Sequence, residues 1–301
     1  MINGRKTVFE DVYTEFVESI KEQGQCEIKD ISRLISTMQE YEMDTHIVIA
    51  GQNGTGKSML ELMFAKYILG KNYLNNFYMA DKTSDDIIQF LLSNESTTLF
   101  VDELNLYLSY KQHASGEQNH LVNMLELARS KRIAMIGCVR DPRKITLNYR
   151  DGKMSVIIWV LDRFTDNTGG YAAVFVANPL VEGDDRFCIN FLQINSFNFE
   201  QMRKQMELLP SFVGYLKIPA VSKILTKEEI DHYKKYKNTA MAHAHLNVLI
   251  KKLKGKKIDE DDFNKQINYL RKSLGNEIID EQLKLLEKSK QQTLFYSYED
   301  D

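Results

Sequence analysis

One short stretch constrains the fold of this chain more than any other, the glycine-rich "GQNGTGKS" at residues 51–58. Gly51 and Gly56 are separated by four residues, and Lys57 and Ser58 follow directly. At average amino-acid usage this combination occurs by chance in roughly 1% of chains of this length. The spacing alone is therefore a moderate signal, and the sequence on either side decides what it means.

The flanking sequence supplies the context that a phosphate-binding loop requires. The run "HIVIA" before it is apolar and β-branched, which is typical of a buried parallel strand. The run "MLELMFAKYILG" after it has apolar residues at helical spacing, with Gly70 as a stop signal. Small residues let backbone N–H groups surround phosphate oxygens, while the helix N-terminus and Lys57 add positive charge and the Ser58 hydroxyl can ligate Mg²⁺. The predicted nucleotide-binding residues are Gly51, Gln52, Asn53, Gly54, Thr55, Gly56, Lys57 and Ser58.

Composition sets the broad class. The chain has 301 residues, 43% hydrophobic and 27% charged, as expected of a globular protein with one large domain and an appendage. Its net charge of -3 excludes a polycation, so any contact with nucleic acid needs a local patch or the inner surface of an assembly. Three scattered cysteines argue against a disulfide framework. No signal peptide or membrane-length apolar run is recognisable, so we expect a cytoplasmic protein without membrane contact.

Alternating strand and helix patterns from residue 46 to about 195 predict an α/β fold, a mainly parallel sheet flanked by helices. Two helices are predicted in "DDIIQFLLSN", with Ser84 as the N-cap, and in "HLVNMLELARSKR". The strands around Gly169 and Gly170 are predicted to form an antiparallel hairpin at the sheet edge. The predicted strands are "THIVIA", "NNFYMAD", "TTLFVDE", "IAMIGCV", "MSVIIWVLDR", "GYAAVFVAN" and "RFCINFLQI".

The pattern predicts three segments. Residues 1–45 form an N-terminal helical segment, 46–198 the nucleotide-binding core and 199–301 a small helical C-terminal domain. The last boundary rests on the loss of strand signals after Asn198 and on the rise of Lys and Glu.

The strand "TTLFVDE" offers the second half of a hydrolytic site. Asp102 and Glu103 follow its apolar residues, and ligands of an open parallel sheet lie at the carboxyl ends of its strands. We expect Asp102 to hold Mg²⁺ and Glu103 to polarise the attacking water. The turn "DELN" that begins with Asp102 does not match the D-x-x-G turn of a switch GTPase, and the chain has no N-K-x-D motif, which favours ATP. A small-molecule kinase is the alternative, although its chemistry needs no water-orienting Glu beside the metal-binding Asp.

Over about residues 45 to 165, the order of the motifs resembles the FtsK/HerA-type branch of P-loop (ASCE) ATPases. The motifs that carry the resemblance are, in order, "GQNGTGKS", "LFVDE", "LVNMLELARSKR" and "IAMIGCVRDPRKI". This branch includes DNA translocases and viral genome-packaging motors, and Zot-like phage ATPases are similar in pattern. The turn Val139–Pro142 stands where the family has a T-Q-R-P-like turn, with arginine in place of glutamine. The resemblance implies an arginine finger supplied to the neighbouring subunit, for which Arg129 and Arg140 rank above Arg132 and Arg163.

The resemblance also implies an ATP-hydrolysing motor that translocates or packages double-stranded DNA, in a ring of about five or six subunits. ATP and Mg²⁺ are its implied cofactors, and a portal or capsid-like protein is an implied partner. If the chain is viral, the host cytoplasm is its expected location. Two alternatives stay open: a Zot-like assembly or secretion ATPase acting on protein, and an ATP-dependent switch or loader.

Overall fold

The computed structural model of the chain describes residues 2–79, 83–108, 121–125, 128–165, 167–177, 186–189 and 199–296. The chain divides into two compact units. One comprises Met1–Tyr78 and Thr83–Thr226, and the other comprises Met79–Lys82 and Lys227–Asp301. Within the described ranges, no helix is both long and apolar enough to cross a membrane.

A sheet forms the centre of the first unit. In chain order, its strands are β1 (Gln25–Cys26), β2 (His46–Ala50), β3 (Phe77–Tyr78), β4 (Thr98–Val101), β5 (Ala134–Val139), β6 (Met154–Val160), β7 (Gly170–Val176) and β8 (Phe212–Ile218). The described residues give eight strands in the spatial order β1-β8-β7-β6-β2-β5-β4-β3. The sheet therefore reaches beyond residues 46–198 on both sides.

Most strand pairs are parallel, which confirms the predicted fold class. Strand β2 pairs in parallel with β5 on one side and β6 on the other, and β3, β4 and β5 continue in parallel. Strands β6 and β7 are antiparallel, as predicted. Their predicted position at the sheet edge is wrong, because β8 and β1 lie beyond β7.

Strand β8 lies in a stretch where the sequence analysis expected no further strand. Its apolar residues are interrupted by a glycine and a lysine, which weakens the alternation that marks a strand. Gly214 is needed here, since a Cβ would come within 2.5 Å of Ile20 Cγ2. The expected strand "RFCINFLQI" is wrong for residues 186–189, which are not extended into the sheet, and its remainder lies outside the described residues.

The helices of the first unit are α1 (Ile2–Gln23), α2 (Ile28–Glu40), α3 (Lys57–Leu69), α4 (Ser84–Ser93), α5 (Leu147–Gly152) and α6 (Phe199–Glu207). Helix α2 buries one apolar face at helical spacing, including Ile31 and Ile35. The predicted N-cap of α4 is wrong by one residue, because the Thr83 side chain accepts a hydrogen bond from Asp86 N and the Asp86 carboxylate accepts one from Thr83 N.

The helix predicted in "HLVNMLELARSKR" is only partly confirmed. Residues 121–125 are α-helical, whereas Ala128–Lys131 form a 3₁₀ turn. Arg132 then has a positive φ of 57°, a conformation that ends a helix.

The second unit is helical in the part that the structure describes, with α7 (Lys227–Lys254), α8 (Glu260–Leu274) and α9 (Asn276–Tyr296). It has its own apolar core, in which Leu246, Ile267 and Ile279 are buried. The Asp259 side chain caps α8 by accepting from Asp262 N at 2.7 Å.

Candidate functional site

The glycine-rich loop joins the end of β2 to the start of α3, as the sequence predicts. Gly56 is the residue before α3 and has a φ of 99°, which favours glycine. A Cβ on Gly56 would lie 2.8 Å from the ring of Phe164, a buried residue just beyond β6. A Cβ on Gly51 would lie 3.0 Å from the Val160 carbonyl oxygen. The end of β6 and its following turn therefore pack directly against the loop and hold its shape.

Two side chains of the loop converge on one carbonyl group. The Lys57 ammonium donates to the Gln52 oxygen at 2.9 Å, and the Thr55 hydroxyl donates to the same oxygen at 2.9 Å. Thr55 is buried, while Asn53 and Gly54 are exposed at the loop tip. The Lys57 ammonium therefore lies over the glycine-rich loop, next to the N-terminus of α3. Both contribute positive charge, which favours the binding of phosphate there.

Asp102 lies directly after β4 and is only 2% exposed. Its Oδ1 accepts a hydrogen bond from the Ser58 hydroxyl at 3.1 Å, and its backbone N–H donates to the Tyr78 oxygen at 3.0 Å. The structure therefore brings together the two predicted Mg²⁺ ligands, although they are 44 residues apart in sequence. A hydroxyl and a carboxylate oxygen at this spacing fit Mg²⁺, which takes oxygen ligands.

Glu103 follows Asp102 in a left-handed backbone conformation, with φ 63° and ψ 49°. This conformation is uncommon for residues other than glycine, and strain of this kind is typical of functional turns. The next residue, Leu104, is buried against Gly137 of β5, where a Cβ would lie 2.8 Å from it. The Glu103 side chain is exposed. Packing of Leu104 on β5 thus fixes a turn that leaves Glu103 accessible beside buried Asp102.

Two further buried residues, Glu61 and Cys138, lie at this site. Neither was predicted from the sequence. Glu61 lies one turn beyond Lys57 on α3 and is 0% exposed, and Cys138 lies on β5 and is 2% exposed. One ligand atom from each of Glu61, Asp102 and Cys138 lies within 4.8 Å of the others. The single acid in the apolar run "MLELMF" was the signal that marks Glu61 in the sequence.

The Cys138 thiol is held in its neutral form. Burial raises its pKa well above the usual value, and the nearby carboxylates of Glu61 and Asp102 raise it further. A neutral buried thiol is a poor nucleophile, so Cys138 is not a candidate for covalent catalysis.

Arg140 is the residue directly after β5 and is exposed. Because β5 lies between β2 and β4, this position stands between the phosphate loop and Asp102 at the same edge of the sheet. The following turn is held by Asp141, whose carboxylate accepts from Arg143 at 2.9 and 2.8 Å.

The other candidate arginines are placed differently. The Arg129 side chain lies outside the described residues. Arg132 donates to Glu42 at 2.9 Å, and Arg163 is exposed in the turn after β6. Arg132 thus pairs with Glu42 at the protein surface, and its role as an arginine finger stays a prediction.

Comparison with known proteins places this site in a broad class. The family model "Novel STAND NTPase 3" matches residues 30–142, which include the phosphate loop, Asp102 and the end of β5. No curated protein matches the sequence significantly. Together with the parallel sheet and the loop between β2 and α3, this partial match supports a P-loop NTPase fold.

Several solved structures resemble parts of the chain at low identity. The N-terminal domain of zonular occludens toxin from Neisseria meningitidis is 14% identical over 49% of this chain and 89% of its own, with a TM-score of 0.35. The genome packaging NTPase B204 from Sulfolobus turreted icosahedral virus 2, in complex with ATP-gammaS, is 14% identical over 46% of this chain and 94% of its own, with a TM-score of 0.32. The FIGL-1 AAA domain in complex with ADP is 12% identical over 81% of this chain and 78% of its own, with a TM-score of 0.30. At these TM-scores, no conclusion about this chain rests on the likenesses.

Proposed function

We propose that this chain is an ATP-hydrolysing motor that translocates or packages double-stranded DNA as an oligomeric ring. The observation that carries the hydrolytic part of the proposal is the Ser58–Asp102 hydrogen bond of 3.1 Å, with Glu103 in a strained turn directly beside it. This pairing brings the phosphate loop and the acidic turn to one place, and hydrolysis needs both.

In the proposed site, each residue has a separate task. The loop N–H groups and Lys57 bind the β- and γ-phosphates, so that negative charge is matched before the reaction begins. Ser58 and Asp102 hold Mg²⁺, which when bound supplies charge neutralisation at the phosphates. Glu103 accepts a hydrogen bond from the attacking water and orients it.

The proposed arginine finger completes charge stabilisation in the transition state. An arginine placed at the γ-phosphoryl group can be worth about 10³ or more in rate. Arg140 is our first candidate, because it follows the strand between the two halves of the site. Arg129 is the second, on the resemblance to FtsK/HerA-type ATPases.

Mixing subunits tests whether the finger acts in trans. An Arg140→Ala subunit keeps Lys57 and Glu103, and a Lys57→Ala subunit keeps Arg140. Neither is expected to hydrolyse ATP alone, but a mixed ring has some interfaces with a complete site, so activity should return. Arg163→Ala, in the exposed turn after β6, removes a lower-ranked candidate and should retain activity if Arg140 is the finger. Loss that no mixture restores would place Arg140 in its own subunit's site.

The proposed action on double-stranded DNA rests on the resemblance to FtsK/HerA-type ATPases. It is tested by measuring ATP hydrolysis with and without DNA. We expect duplex DNA to stimulate ATP hydrolysis and to accompany a shift from small species to a ring in sedimentation with ATP. The chain's net charge of -3 makes a concentrated basic surface inside a ring necessary for this. If DNA changed neither the rate of ATP hydrolysis nor the size of the oligomer, the proposed DNA translocase activity would be contradicted.

Two other functions for the same hydrolytic site remain in competition. A Zot-like ATPase acting on protein would turn over ATP as an oligomer without a response to DNA. An ATP-dependent switch or loader would bind ATP as a monomer and hydrolyse it slowly. The matching family model is one of NTPases and not of DNA translocases, so the substrate is decided only by these measurements.

A further inference from the structure

We propose that Glu61, Asp102 and Cys138 form a binding site for a thiophilic divalent cation such as Zn²⁺, and that this ion competes with Mg²⁺ for Asp102. The three residues come from three different elements: helix α3, the turn after β4, and β5. The competition rests on the function proposed above for Asp102, whereas the binding itself does not.

The spacing of the donor atoms fits one shared ion. Zinc–oxygen and zinc–sulfur bonds are about 2.0–2.3 Å long, so the ligand atoms of one tetrahedral zinc ion are about 3.3–3.8 Å apart. The ligand atoms of Glu61, Asp102 and Cys138 lie within 4.8 Å of one another. Side-chain rotations that bring the donor atoms closer by about 1 Å therefore suffice to close the site.

The residues are also held in place before any ion arrives. Glu61 is 0% exposed, and Asp102 and Cys138 are each 2% exposed. Their neighbours on α3 and β5 are buried apolar residues, which restrict the rotamers that the ligands can adopt. The Ser58 hydroxyl, 3.1 Å from Asp102 Oδ1, lies at the same carboxylate and can serve as a fourth ligand.

The donor types select the ion. Mg²⁺ prefers an all-oxygen octahedron and does not take thiolate, whereas Zn²⁺ and Cd²⁺ bind thiolate together with carboxylate. On binding, the Cys138 Sγ–H proton is released to solvent and the sulfur–metal bond takes its place. The ion then occupies Asp102 and restricts the site that Mg²⁺ needs, so a thiophilic ion is expected to inhibit turnover.

Cadmium titration of the nucleotide-free full chain tests the site directly, because a cadmium–thiolate bond absorbs in the near ultraviolet. We expect one equivalent of Cd²⁺ to produce this band in the wild type. Cys138→Ser should lose the band, and Glu61→Gln should weaken Cd²⁺ binding by at least about tenfold, since even residues that only orient metal ligands are worth that much. Cys26→Ser is the matched control, because Cys26 is a buried strand cysteine outside the cluster, and it should keep the band.

A band that survives in Cys138→Ser, or that disappears in Cys26→Ser, would overturn the assignment. So would a Glu61→Gln variant that binds Cd²⁺ as tightly as the wild type; this variant keeps the side-chain shape and tests the site even if Cys138→Ser does not fold. Excess Mg²⁺-ATP should remove the band from the wild type, and a band that persists would contradict the shared use of Asp102. ATP hydrolysis without a cadmium band would disprove this inference alone, and a cadmium band without hydrolysis would disprove the proposed function alone.

Discussion

The Gly56→Ala substitution tests how strongly the packing of Phe164 against Gly56 stabilises the phosphate loop. Two costs add at this position. Gly56 has a φ of 99°, and an L-residue with positive φ costs about 1–2 kcal/mol. The new Cβ would lie 2.8 Å from the buried Phe164 ring, and overpacking of this kind typically costs about 1–3 kcal/mol. We therefore expect the free energy of unfolding to fall by about 2–5 kcal/mol.

Gly54→Ala separates the two costs. Gly54 also has a positive φ, 80°, but among the described residues no atom beyond its chain neighbours lies within 4 Å of the position of its Cβ. Only the backbone cost of about 1–2 kcal/mol should remain. In a double-mutant cycle, Phe164→Leu should relieve part of the Gly56→Ala cost, with a coupling of about 1–3 kcal/mol.

Urea unfolding followed by tryptophan fluorescence measures these differences in the first unit. The sequence has one tryptophan, Trp159, which lies on β6 and is 2% exposed. Equal losses of unfolding free energy for Gly56→Ala and Gly54→Ala, or a coupling near zero with Phe164→Leu, would refute the claim that Phe164 holds the loop.

Two further predictions concern single side chains. Lys57→Ala should abolish tight ATP binding in equilibrium dialysis, because it removes the positive charge at the phosphates. The urea midpoint should stay near that of the wild type, since Lys57 is not fully buried and the Thr55 hydroxyl still donates to the Gln52 oxygen. Unchanged ATP affinity would contradict the assignment of the loop. A thiol reagent at neutral pH should label Cys188 first, because burial raises the pKa of Cys26 to about 12 and that of Cys138 well above its usual value, whereas Cys188 is partly exposed; early modification of Cys138 in peptide mass spectra would contradict its burial.

Local sequence pattern was sufficient for the parts of the fold that depend on neighbouring residues. The loop between β2 and α3, and the acidic turn after β4, each follow a strong strand signal, and both lie where they were predicted. The parallel sheet follows from the alternation of strands and helices. These features depend on the hydrophobic period, on the order of elements along the chain and on the residue types in turns. All three can be recognised from residues that are close in sequence.

What the sequence could not supply depends on contacts between distant residues. Strand β8 is specified by pairing with β7 and by the close approach of Ile20 to Gly214, and neither leaves a local period. The cluster of Glu61 and Cys138 exists only because α3 packs on β5, 77 residues further along the chain. The contacts of a single acidic residue or cysteine in an apolar run cannot be inferred until the order of the strands in the sheet is known.

The hydrolytic role of Glu103 is the central claim, and Glu103→Gln tests it most directly. The amide keeps the size of the side chain but removes the charge that orients water, while Ser58 and Asp102 are untouched. We predict that ATP affinity stays within a small factor of the wild type and that the rate of hydrolysis under single-turnover conditions falls by at least about a hundredfold. Hydrolysis at the wild-type rate, or a parallel loss of ATP binding, would contradict the assignment of Glu103 as the residue that activates water.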